Sequence, residues 1–326
     1  MSVVTPKLSI VATMYRSAPH IREFCQRAAD AARKLVGDTF EIVLVNDGSP
    51  DDSLAIAMEL AKADDHLVIV DLSRNFGHHK AMMTGLMHAG GEQVFLLDSD
   101  LEEEPEWLLS FADQQQQRQS CDVVYGVQGR RKGGLVERVT GQWFYRIFNA
   151  LSGLQLPANI VVARLMTRRY VDALLQHDER EVFLAGLWHI TGFDQQPQTV
   201  TKHSTSESTY SLRHKVAMLV NSLTSFSNAP LHAIFYIGAT ISAFASAYIL
   251  YILLNWLFMA RPVGGWTSVM ASIWLLGGLI ISFIGIIGIY LAKIFSETKR
   301  RPYTVVRHVY RRDRAERTES PGRGEP

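Results

Sequence analysis

The pattern of apolar and polar positions changes character twice along the chain. From Leu8 to Gly126, apolar runs of strand length at Leu8 to Ala12, Phe40 to Val45, Leu67 to Leu72, Gln93 to Leu97 and Asp122 to Tyr125 alternate with other stretches. Those stretches, at about 20 to 35, 53 to 63, 78 to 88 and 105 to 117, repeat apolar residues at helical spacing. Such alternation predicts an α/β fold, a mostly parallel sheet with helices on both faces. Residues 127 to 232 are less regular: Arg130 to Gly134 reads as a mobile basic loop or a solvated charge run, and two amphipathic stretches near 143–154 and 213–227 suit either the membrane interface or a core.

Beyond that the pattern becomes apolar. Between Lys215 and Arg261 there is no Asp, Glu, Lys or Arg, and residues 233–254 and 269–291 are each long enough to cross ~30 Å of hydrocarbon. A hairpin of two transmembrane helices follows as the expectation for 229–295. Lys293, Lys299, Arg300, Arg301 and Arg307 lie close behind the second span, so the positive-inside rule puts both termini and residues 1–228 in the cytoplasm of a multi-pass inner-membrane protein. Gly278, Ser282, Gly285 and Gly288 form a small-residue stripe suited to close helix packing, within the hairpin or between subunits of a homo-oligomer. The basic tail, 296–326, is expected to touch anionic headgroups beyond Pro302 or to be disordered.

Composition narrows the classes further. A net charge of +1 offers no basic excess for nucleic acid. With Cys25 and Cys121 alone, neither a disulfide scaffold nor a zinc site is expected, and a reducing compartment suits the chain. No secretory signal pattern precedes Leu8.

The chemistry-bearing residues cluster where predicted strands end. Thr13 to Arg16 follows the first, Asn46-Asp47-Gly48-Ser49 the second, Ser73-Arg74-Asn75-Phe76-Gly77-His78 the third and Asp98-Ser99-Asp100 the fourth, so all four converge on one edge of the sheet. In an extended segment Asp98 and Asp100 point the same way, which lets two hard oxygen donors share a divalent cation. Glu102 to Glu104, just before Pro105, read mainly as the acidic start of the next helix.

Taken together, the Asn46-Asp47-Gly48-Ser49-Pro50-Asp51 turn, the Ser73 to His78 segment, the Asp98-Ser99-Asp100-Leu101 motif and the terminal apolar pair resemble family 2 glycosyltransferases of the GT-A fold. Within these the chain is most similar to polyisoprenyl-phosphate glycosyltransferases, from Leu8 to about Ile294. The resemblance implies inverting transfer of a sugar from a UDP- or GDP-sugar to a membrane polyprenyl phosphate, for cell-surface glycan biosynthesis. It implies Mg²⁺ or Mn²⁺ on Asp98 and Asp100, donor-nucleotide contacts from Thr13, Tyr15, Asp47, Gly48, Arg74, Asp98 and Ser99, and catalytic roles for Asp100, Arg74 and Arg164. His78 and Lys80 add positive groups near the phosphates, with a helix cap as the plainer role for His78 and an ion pair to Asp71 or Asp98 the plainer one for Arg74.

The chain departs from that family pattern in three places. Tyr15-Arg16-Ser17 stands where relatives have Tyr-Asn-Glu, Asn46-Asp47 replaces an Asp pair, and Val162-Ala163-Arg164-Leu165-Met166 lacks the aspartate expected at position 162. A phosphate acceptor is largely ionised near neutral pH, its second pKa being about 6, and needs no general base. Lys202, His203 and Arg164 are the residues expected to hold it. Two other readings stand beside this one: a transferase extending a lipid-linked glycan, and a membrane nucleotide-sugar binder without catalysis.

Overall fold

The computed structural model describes residues 5–118, 120–129, 159–180, 182–202, 224, 227–259 and 265–311. The two amphipathic stretches, apart from Thr224 and Ser227, lie outside them, as do Arg130 to Gly134 and His203. The chain forms two compact units, one of residues 1–142, 156–209 and 302–326, the other of 143–155 and 210–301.

The first unit is built on eight strands: β1 (Leu8–Met14), β2 (Phe40–Asn46), β3 (Leu67–Leu72), β4 (Gln93–Asp98), β5 (Val123–Gln128), β6 (Ile160–Thr167), β7 (Gln195–Val200) and β8 (Val306–Arg311). They form one sheet in the order β7-β5-β6-β4-β1-β2-β3-β8. The pairs β1–β2, β2–β3, β1–β4 and β5–β7 are parallel, while β6 runs antiparallel between β4 and β5, and β8 antiparallel beside β3. Every residue of β1, β2 and β3 is buried, which explains their continuous apolar runs: helices cover both faces of a parallel sheet.

The helices are α1 (Ile21–Val36), α2 (Ser53–Ala63), α3 (His78–His88), α4 (Trp107–Gln117), α5 (Arg168–Leu174) and α6 (Leu184–Ile190). On one face Phe24, Ala28 and Ala32 of α1 and Phe111 of α4 join Leu8, Ile10, Ala12, Ile42 and Leu44 in a continuous core. On the other, α3 comes so close that a Cβ on Gly85 would meet the Val11 side chain at 2.5 Å and that of Val45 at 2.9 Å. The mostly parallel α/β sheet flanked on both faces is therefore as expected. Strand and helix positions up to Tyr125 agree with the apolar pattern to within a few residues.

Part of the tail after Pro302 has a defined place: Val306–Arg311 completes the β3 edge of the sheet, while residues 312–326 lie outside the described ones. Its alternating residues are those of an edge strand whose arginines pair with buried acids: Arg307 with Asp71 and Arg311 with Glu41.

The second unit contains α7 (Ala229–Met259) and α8 (Trp266–Thr298). Near its C-terminal end α8 reaches the start of α7, where the Tyr290 hydroxyl donates to the Ser227 carbonyl at 2.7 Å. Among the described residues one helix, Ser272–Thr298, is long and apolar enough to cross a membrane, a statement of length and composition. A Cβ built on Gly278, Gly285 or Gly288 meets nothing within 4 Å, so that stripe is not packed against the described part of α7.

Candidate active site

The sheet order reverses at β1, which has β2 on one side and β4 on the other. Connections leave to opposite sides there, opening a crevice beyond the carboxyl ends of the strands. Register fixes what lines it: Thr13 sits beside Asp98 and Met14 beside Asn46. The four clusters that the sequence places at strand ends do share this edge.

The loops are tied to one another before any ligand is considered. Both carboxylate oxygens of buried Asp47 accept main-chain hydrogen bonds, from Phe76 N at 2.7 Å and Gly77 N at 3.0 Å. Asp47 thus sets the path of the loop between β3 and α3. Gly48, at φ +59°, lets that loop pass close by: a Cβ there would lie 2.4 Å from Asn75 N and 2.5 Å from the Arg74 carbonyl carbon. Asp51 gathers the hydroxyls of Ser49 and Ser53 and the Ala18 N–H, while Ser49 Oγ in turn accepts from Arg16 N at 2.7 Å. Burial alone would raise the Asp51 pKa, but these donors more than offset it and hold it down at about 2.

Ser99 lies in the turn just past the end of β4. Its hydroxyl donates to the Thr13 carbonyl at 2.7 Å and contacts Ser17 Oγ at 3.0 Å, so it fastens the β1 and β4 ends. Tyr15 is about half exposed, with the Arg16 guanidinium over its ring. Arg74 pairs with neither Asp71 nor Asp98. Its guanidinium lies over the Phe76 ring, 4.1 Å from the centroid, and donates to the Asn75 carbonyl.

His78 does not cap α3, whose N-cap, Gly77, has no side-chain bond. It bridges the crevice, with Nδ1 3.0 Å from Thr13 Oγ1 and Nε2 3.1 Å from Asp98 Oδ1. Burial pulls the imidazole pKa down, yet the neighbouring Asp98 carboxylate, with Glu103 and Asp47 behind it, leaves it net raised.

The acidic turn differs from expectation. Helix α4 begins at Trp107 with no acidic residue in its first turn, so Glu102 and Glu103 do not serve its N-terminus. Both are buried, and both pair with Lys202: its ammonium lies 3.1 Å from Glu102 and 3.8 Å from Glu103. The Glu103 Oε1 also accepts from Val162 N at 3.0 Å, which brings a carboxylate to the position where the resembling family has an aspartate of its own. Burial first, then the charge of Asp98, raises the Glu103 pKa well above the ordinary carboxylate range; burial and Asp98 likewise raise that of Asp100. For Lys202 burial works downward, but Glu103 and Glu102 outweigh it and the ammonium is held more firmly. Leu101 sits at φ +60°, a strained conformation for a non-glycine residue that turns the chain directly after Asp100.

Arg164 is placed elsewhere. It is 1 % exposed, its Nε donates to the Val162 carbonyl at 3.1 Å, and its guanidinium packs on the Trp188 ring. Burial lowers its pKa to about 9. A guanidinium enclosed this way fills the core beside β4. Of the residues expected to hold the acceptor phosphate, Lys202 adjoins the acidic turn.

Four carboxylates (Asp98, Asp100, Glu102 and Glu103) therefore face the ammonium of Lys202 and the imidazole of His78. Asp98 Oδ1 is buried with no hydrogen bond, its imidazole neighbour serving as a charge partner only. Hard oxygens, excess negative charge and an unsatisfied carboxylate atom fit a divalent cation. Among the described residues no group of three His, Cys, Asp or Glu side chains is disposed to hold one, so Asp98 and Asp100 would supply two protein ligands and substrate phosphates and water the rest.

Comparison with known proteins gives the family of the chain. A chain from Mycobacterium tuberculosis (strain CDC 1551 / Oshkosh) described as "Putative glycosyltransferases" is 48% identical over 307 residues, 94% of this chain and 89% of that one. An uncharacterized glycosyltransferase of Synechocystis sp. (strain ATCC 27184 / PCC 6803 / Kazusa) is 31% identical over 315 residues, 94% and 96% of the two chains. The bactoprenol glucosyl transferase of Shigella phage SfII is 29% identical over 308 residues, 94% and 99%. The sequence profile described as "Glycosyl transferase family 2" matches residues 9–175, which span every strand end that lines the crevice from β1 to β4. The chain belongs to glycosyl transferase family 2 and is a glycosyltransferase.

Proposed function

We propose that this enzyme transfers a sugar from a nucleotide diphosphate sugar to a polyprenyl phosphate at a membrane surface, inverting the anomeric carbon. The observation that carries the reading is the acidic turn at the carboxyl edge, Asp98 to Glu103, in a chain that also has a helix of membrane length and apolarity. The full-length likeness to a bactoprenol glucosyl transferase supports the choice of lipid.

A cation on Asp98 and Asp100 would supply Lewis-acid stabilisation of the departing diphosphate. Arg74, paired with no carboxylate among the described residues, supplies a positive group for the donor phosphates, and His78 adds a second beside Asp98. Asp47 and Gly48 act through the loop they shape, with Thr13 and Tyr15 at the β1 side of the same crevice. Lys202, with His203 following it, is assigned to the acceptor side.

Val162 at the place of an aspartate suits an acceptor that arrives already ionised, because its phosphate oxygen attacks without losing a proton to the protein. The chain's contribution is then positioning and charge. Holding both substrates at a membrane raises the effective concentration of the lipid. Two spans with both ends in the cytoplasm, an inner-membrane location and association of copies through the open glycine stripe of α8 complete the proposal.

The test is transfer of radiolabelled sugar from UDP- and GDP-sugars to undecaprenyl phosphate with Mg²⁺ or Mn²⁺, using the full chain in detergent or nanodiscs. A lipid-linked product with an inverted anomeric centre is expected, falling by at least about 10²-fold in Asp98→Asn and Asp100→Asn. No product with any common donor would refute the proposal, and undiminished product in both variants would refute the metal assignment.

A further inference from the structure

The C-terminal segment grips the donor-side loop at both of its ends. Before the loop, Ser73 N donates to the Val305 carbonyl at 2.9 Å, and Arg307 Nη2 donates to the Ser73 carbonyl at 2.6 Å. After it, Thr304 Oγ1 lies 2.8 Å from Thr84 Oγ1 of α3, and the Tyr303 hydroxyl contacts Met87 Sδ. Between these anchors run Arg74, Asn75 and the Phe76 and Gly77 amides held by Asp47.

Arg307 is the singular residue of that grip. The β3–β8 register pairs Asp71 with His308 and Leu72 with Val306, so β8 carries one extra residue, Arg307, at a bulge. A bulge re-aims the side chain it displaces. Here the guanidinium turns onto Ser73 and onto Asp71, 3.4 Å away and almost wholly buried, whose other oxygen accepts from Asn46 Nδ2 at 2.8 Å. The Asn46 Oδ1 in turn accepts from Ser49 N at 3.1 Å. One arginine thus joins the loop after β3 to the turn after β2.

We propose that Arg307 is a positioning residue of the donor site, holding the Ser73 to Gly77 loop at the height at which it meets the nucleotide diphosphate. The inference rests on the donor-site reading given above. Arg311 is its internal control: it lies on the same strand, in regular register opposite Val68, and pairs with buried Glu41 at the other end of the sheet. A merely structural role, keeping β8 attached, would be served by both arginines alike.

The experiment compares Arg307→Ala, Arg307→Lys and Arg311→Ala in the full chain in nanodiscs. It reads UDP and GDP affinity by calorimetry and amide hydrogen exchange across residues 73–77. Arg307→Ala should weaken nucleotide binding about tenfold, the size of one charge-assisted hydrogen bond, and speed exchange at Phe76 and Gly77. Arg307→Lys should recover part of both. Arg311→Ala should melt at a lower temperature with affinity and exchange at 73–77 unchanged. Equal effects of the two alanine variants, or none from Arg307→Ala, would overturn the inference. A wild type that binds neither nucleotide would overturn the function proposed above, and the exchange comparison would then decide the positioning claim by itself.

Discussion

Replacing Gly48 by alanine perturbs the closest approach between two loops of the crevice. The new Cβ would start 2.4 Å from Asn75 N, whereas ordinary contact begins at 3.4 Å, so the loop after β3 must retreat by about 1 Å. Neither obstructing group is a yielding side-chain tip, since both belong to the main chain at Arg74 and Asn75. Two costs add: about 1–2 kcal/mol for an L-residue in the left-handed region, and about 1–3 kcal/mol for overpacking. Displacement matters more for turnover, because a misplacement of about 1 Å costs on the order of 10²-fold. Donor-dependent kcat/KM and thermal unfolding of Gly48→Ala should both fall. Gly37→Ala separates the terms, for Gly37 has φ +64° but nothing within 4 Å at the end of α1. It should lose about 1–3 kcal/mol, because φ +64° with ψ −137° lies outside the left-handed well in a region that only glycine enters freely, and keep full activity. Near wild-type turnover in Gly48→Ala would refute the claim that this contact sets the loop.

Two further outcomes follow from burial and charge. Arg164→Met keeps most of the volume but strands the Val161 and Val162 carbonyls, so stability should drop by about 1–3 kcal/mol with the acceptor KM unchanged; a selective rise in acceptor KM would return Arg164 to the acceptor site. Asp51, held at about 2 when folded against an ordinary 3.8, contributes stability above pH 3.8 that is lost as pH falls toward 2. The melting temperature of wild type should therefore fall more steeply than that of Asp51→Asn across this window, and parallel curves would show that the Asp51 cluster is not coupled to folding.

Local pattern was enough for the parts of the molecule that are locally determined. Continuous apolar runs announced β1 to β4, and the abrupt polar residues after each announced the crevice, because a parallel sheet must bury its strands and present their carboxyl ends together. What escaped depends on distant partners. Nothing in Ile160 to Thr167 says that it inserts antiparallel between β4 and β5, and nothing in the tail's alternation says which edge it will join. Ser99 ties two strand ends, through the Thr13 carbonyl and Ser17, from a turn whose partners lie more than eighty residues away. Glu103 and Lys202 are harder, as an acid before Pro105 reads like a helix start until the β7 end delivers an ammonium beside it. Arg164 is hard for the opposite reason: a cation in an apolar strand suggests function, and only the fold shows the indole ring and two carbonyls that enclose it.

The position of β8 in the chain has a consequence for biosynthesis. Its residues are translated after both long apolar helices, yet they pair with β3, more than two hundred positions earlier. Until the ribosome has passed Arg311, the β3 edge lacks its neighbour and Ser73 lacks the carbonyl of Val305 and the guanidinium of Arg307. The catalytic unit reaches its final form only after the apolar segments have been made, so a nascent chain halted before or within them cannot be a finished enzyme.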